Sequence, residues 1–148
     1  MAEETQYTYV DRTAKDLKLE VGELLVIRLW SWTKERLQKD AEDEHFKAEQ
    51  TNRRLPYYSI STFAMPLGLG EEVTELTERL VNYVRTKRTA RHYCVITEPE
   101  LAAEGFQLIP SGPHEHHYDI PLGADRLDLD AVGKLADLFG TEKIRMPR

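Results

Sequence analysis

"DLKLEVGELLVIRLW", residues 16–30, decides how the rest of the chain is read. Leu17, Leu19 and Val21 alternate with polar residues, the period-two pattern of a strand with one buried face. Gly22-Glu23 interrupts, and Leu24 to Trp30 is then almost continuously apolar and partly β-branched, as in a strand buried on both faces. A single helix competes, because positions 17, 21, 24, 25 and 28 also fall near one helical face. It would carry Arg28 on that apolar face, so a hairpin of two strands is the expectation.

On the C-terminal side, residues 33–54 are dense in helix formers and charges, with a thin apolar seam of Leu37, Ala41 and Ala48. A mostly exposed helix is expected, closed by Pro56. Residues 57–65, YYSISTFAM, read as a strand and are followed by the breaker PLGLG. Residues 71–88 give the clearest helix: Val73, Leu76, Leu80, Val81 and Val84 share a face, with acids at its start and bases at its end. HYCVIT (92–97) reads as a central strand. Thr97 and Glu100 have capping-box spacing for a short helix, which Gly105 would end. Short strands are expected at 106–109 and 117–122. A last helix at 128–140 is capped by Asp128 or Asp130 and faces inward with Val132, Leu135, Ala136 and Phe139.

Strands alternating with helices predict an α/β domain, with α+β as the alternative: residues 1–148 as one globular unit with one mixed sheet of about five or six strands against three or four helices. Residues 1–12 are expected to be flexible. The N-terminus lacks the basic and apolar regions of a signal peptide, no run is long enough to span a bilayer, and the single cysteine, Cys94, fits a reducing compartment. A cytoplasmic location is expected. The net charge of −6 disfavours nucleic acid as a partner, because phosphate neutralisation supplies most non-specific affinity.

SGPHEHHYDIPLG, residues 111–123, holds the densest metal-binding chemistry. His114, His116, His117 and Asp119 are suitable ligands for zinc, manganese or iron, and Glu115 is a candidate base. An extended chain would send His114 and His116 to one face and His117 and Asp119 to the other, so no cofactor is the first expectation and a divalent transition metal the alternative. Arg85, Lys87, Arg88 and Arg91 form a local basic group suited to an anion, beside His92. The amides of LGLG (67–70) precede a helix but are followed at once by Glu71 and Glu72. Cys94 lies in an apolar strand and is expected to be inert. Trp30, Trp32, Phe46, Tyr57 and Tyr58 are candidates for an interface or for core.

The order Arg28, then Ser59-x-Ser61-Thr62, then Glu115 resembles the mono-ADP-ribosyltransferases. That family carries Glu or Gln two positions before its catalytic glutamate, and here the position is Pro113, so the activity is not carried over.

No catalytic constellation stands out, and the expectation is an acidic protein-binding module of adaptor, inhibitor or toxin-neutralising type, with a homodimer as one form of partnering. The alternative is a small metal-dependent hydrolase or nucleotide-directed enzyme centred on residues 114–119.

Overall fold

The computed structural model describes residues 17–29, 31–51, 57–112, 114–140 and 143–147. Six strands are described: β1 (Leu24–Leu29), β2 (Ser59–Pro66), β3 (His92–Thr97), β4 (Ile109–Pro110), β5 (His117–Pro121) and β6 (Ile144–Arg145). The four described helices are α1 (Lys34–Gln50), α2 (Val73–Arg85), α3 (Glu98–Ala103) and α4 (Leu129–Phe139). The strands form one sheet in the order β4-β5-β2-β1-β3-β6. The α/β expectation holds.

The sheet is antiparallel throughout rather than mixed. β2 and β3 do run in the same direction, since each is antiparallel to β1. They make a split β-α-β unit around α2, with β1 lying between them, so the two parallel-running strands never pair. The expected hairpin fails in its first arm. Both flanks of β1 are already occupied, and residues 17–20 have no strand partner. Leu17 and Leu19 pack instead against the core on the α2 side, while Gly22 N–H donates to Leu67 O at 2.9 Å.

Alternation along the central strands divides the core in two. On one face Val26, Ile60, Ala64, Cys94, Ile96 and Ile120 meet α1, α3 and α4 through Leu37, Ala41, Leu101, Val132, Leu135 and Phe139. On the other, Leu25, Ile27, Leu29, Phe63, Met65 and Tyr93 meet Leu76, Leu80, Val81 and Val84 of α2. The thin seam of α1 buries the three residues expected of it, Leu37, Ala41 and Ala48.

Local signals account for the helix ends. Thr33 Oγ1 caps α1 by accepting from Arg36 N–H, Thr97 and Glu100 form the expected capping box on α3, and Asp128 caps α4. Gly105, with φ +86°, leaves α3 in the left-handed region, as its position predicts. The strand expected at 106–109 shrinks to β4, because the chain is still closing α3: Phe106 N–H donates to Leu101 O at 3.0 Å. No helix among the described residues is long and apolar enough to cross a membrane. Trp30 and residues 1–12 lie outside the described residues.

Candidate functional site: a cleft where the sheet forks

β1 and β2 pair from Leu24↔Pro66 to Ile27↔Phe63, and there the register ends. Beyond that point β1 stays with β3 as far as Leu29↔Tyr93, and β2 stays with β5 back to Ser59↔Pro121. The sheet forks. Its two prongs enclose a cleft of about 290 Å³, lined by Arg28 and Leu29 from one prong and residues 60–63 from the other. Arg36, Asp40, Asp43, Glu44 and Lys47 line it from α1, with Arg88 and His117 completing it.

Arg28 sits where the prongs part. It shares the strand parity of Val26, so its side chain leaves β1 on the α1 side, where it is 2% exposed. A buried guanidinium needs partners. Its Nη2 pairs with Asp40 Oδ2, and its Nη1 donates to Ser61 O at 2.9 Å. The side chain thus satisfies a backbone carbonyl of β2 just beyond the last paired residues. Asp40 Oδ1 also accepts from Arg36 Nε at 3.1 Å. Burial pulls the Arg28 pKa below its usual value, and Asp40 opposes that shift. Arg28 Nε is buried with no hydrogen-bond partner among the described residues.

The polar lining of α1 arises from helical spacing. Positions 36, 40, 43, 44 and 47 recur every three or four residues beside the buried seam of Leu37, Ala41 and Ala48. Asp43 is held by Lys39 at 3.1 Å, but Lys47 has no acidic partner among the described residues.

On the α2 side, residues 114–116 are not extended. His117 N–H donates to His114 O at 3.3 Å and closes a turn, so the alternation expected over 114–120 begins only at His117. The turn brings His114 and His117 onto one side of the sheet, both against Phe63, with ring centroids 6.5 and 5.4 Å away. His116 instead meets the Tyr83 ring edge-on at 4.8 Å. Among the described residues, no three His, Cys, Asp or Glu side chains are grouped to hold a metal. Glu115 is exposed and does not line the cleft. The Arg28, Ser61 and Thr62 part of the ADP-ribosyltransferase-like order comes together there without it.

His117 is buried, and its Nδ1 lies 2.7 Å from Ser111 Oγ, leaving Nε2 without a protein partner among the described residues. Burial pushes its pKa down, against the pull of Asp119. Asp119 moves the other way: burial raises it, the Ser111 hydroxyl and His117 oppose, and Glu44 adds to the rise.

The basic group disperses. Arg88 alone turns into the cleft, while Arg85, Lys87 and Arg91 are exposed elsewhere. Arg88 spans the Phe63 ring at 5.7 Å, and its Nη1 meets His114 Nε2 at 3.2 Å. A guanidinium can only donate, so that imidazole nitrogen accepts and the ring proton sits on Nδ1. The LGLG amides serve the chain's own acid: Gly68 N–H donates to Glu71 Oε1 at 2.9 Å, and Arg79 clamps the same carboxylate.

Of the aromatic candidates, Trp32 is core, with Nε1 donating to Gly140 O at 3.0 Å. Tyr57 and Tyr58 are half-buried, the latter stacked on His45 at 4.0 Å, and Phe46 is exposed. Cys94 is buried in the core, and burial pushes its thiol pKa far up, so it is not a thiolate at neutral pH.

Sequence reasoning missed Asp40, Lys47, Glu44 and Ser111 as site residues. The signal it held was Arg28 itself, a charge within an otherwise apolar strand. No family model, no curated protein and no solved structure matches the chain.

Proposed function

We propose that the protein is a binding module without catalytic activity, of adaptor, inhibitor or toxin-neutralising type, and that an acidic group of its protein partner enters the fork. The cleft supports this reading. It is a concave polar site at a break in an otherwise paired sheet, lined by four cations and three carboxylates in a chain of net charge −6. Most of its charged groups are already tied into ion pairs, which suits a rigid receptor better than a reacting centre. The test is affinity capture from host-cell extract with the partner identified by mass spectrometry. Wild type should retain one stoichiometric partner that Lys47→Glu with Arg88→Glu releases. Retention unaffected by the double variant would overturn the assignment to the cleft.

One contact favours a second reading, a metal-independent hydrolase. Ser111 Oγ at 2.7 Å from His117 Nδ1 has hydroxyl-to-base geometry. Covalent labelling of Ser111 by a fluorophosphonate would replace the binding reading with this one.

A further inference from the structure

We infer that the group received by the fork is a phosphate monoester. The inference rests on the binding reading above and names its ligand chemistry.

Charge comes first. Asp40 faces two guanidinium groups, Arg28 and Arg36, and Asp43 is neutralised by Lys39 from outside the cleft. Among the described residues, Lys47 and Arg88 have no acidic partner and Glu44, of the lining carboxylates, has no cation partner. About two positive charges are therefore left over, which matches a phosphate monoester above its second pKa of about 6 and exceeds what one carboxylate would neutralise.

Preorganisation comes second. Arg88 is fixed by Phe63 and His114, and Arg28 by Asp40 and Ser61 O, with its buried Nε still lacking an acceptor. Fixed guanidinium groups lose little freedom when an oxyanion arrives. Ser61 adds a neutral hydroxyl donor in the lining. Size comes third. A cleft of about 290 Å³ lies at the lower edge of the range for small-molecule sites, roughly 300–1,000 Å³, which suits a phosphate-bearing group.

The test is calorimetric titration at pH 7.5 and constant ionic strength with inorganic phosphate, O-phosphoserine, a phosphoserine peptide and glutamate. The phosphate compounds should bind at least tenfold more tightly than glutamate. Arg88→Gln and Lys47→Gln should each weaken them tenfold or more, while Arg85→Gln, the same charge change outside the cleft, leaves them unaltered. Arg88→Lys, which keeps the charge, should recover part of the loss. Tighter binding of the phosphopeptide than of inorganic phosphate supports the inference with a phosphorylated protein as the source, whereas equal affinities make the source a free phosphate and overturn the protein-partner reading on which it rests. Glutamate binding as tightly as O-phosphoserine, or phosphate binding indifferent to Arg88 and Lys47, overturns it. If partner capture depends on Lys47 and Arg88 while phosphate does not bind, the ligand class fails and the binding reading survives.

Discussion

The two ends of the β1–β2 pair are built on opposite terms. At the closed end Leu24 to Ile27 face Phe63 to Pro66 in continuous register, with Leu25, Val26 and Ala64 fully buried. At the open end the same strands part around Arg28, and the gap is bridged by side chains: a guanidinium to Ser61 O and an ion pair to Asp40. Backbone pairing needs no particular residue, whereas this bridge needs two specific ones. The closed end is therefore tolerant and structural, and the open end is specified residue by residue.

The largest expected effect tests the bridge. Asp40→Ala should cost about 3–5 kcal/mol in urea unfolding, because it leaves the Arg28 charge buried with its main partner gone. Replacing both partners, Arg28→Met with Asp40→Leu, should restore most of that stability while abolishing phosphate binding. If Asp40→Ala unfolds like wild type, the fork is not held by this pair.

Next come matched truncations. Leu25→Ala at the closed end should cost about 4 kcal/mol, combining lost burial with a sealed cavity. Leu29→Ala, also buried but beside the cleft, should cost less, about 2–3 kcal/mol, because the space it leaves adjoins the cleft. Equal losses would erase the distinction between the two ends.

A smaller loss is expected at the hinge of the outer prong. Gly123 has φ +124°, and a Cβ there would lie 2.1 Å from Arg126 O. Its carbonyl accepts from Tyr58 N–H at 2.7 Å and so pins the chain entering β2. Gly123→Ala should destabilise by about 2 kcal/mol and weaken phosphate binding without abolishing it.

The smallest effect is a pH slope. The imidazole of His117 faces Asp119, Ser111, Arg88 and His114. Its folded pKa lies below the unfolded value of about 6.5, so the unfolded chain takes up the proton more readily. The stability it contributes is present above that pH and is lost as pH falls through the folded value. Asp119, raised by burial, acts in the opposite sense: its contribution is present at acid pH and fades as pH rises through its folded value. Wild type should lose stability between pH 7 and 5, and His117→Gln should reduce that slope, the remainder coming in part from His92, whose pKa burial also lowers. An unchanged slope would assign it to other groups.

Most of the scaffold was legible in the sequence. Periodicity identified the face of α2 from Val73, Leu76, Leu80 and Val84 and the seam of α1 from three residues, and caps placed α3 and α4. Strand neighbours were not legible, which is why the hairpin partner assigned to residues 17–21 was wrong: alternation gives a face and says nothing of which edge is free. The cleft was hidden for a related reason. Arg36, Asp40, Asp43 and Lys47 look like any solvated helix stripe until β1 is known to turn Arg28 toward them. The histidines misled because Pro110, Gly112 and Pro113 permit a turn whose extent no spacing rule fixes.

Both margins of the sheet, β4 and β6, are two residues long, and β4 ends in Pro110, which has no N–H to offer. Such margins offer an incoming strand few backbone groups of their own. Short margins of this kind, one of them ended by a proline, weaken the template for strand addition at the two edges.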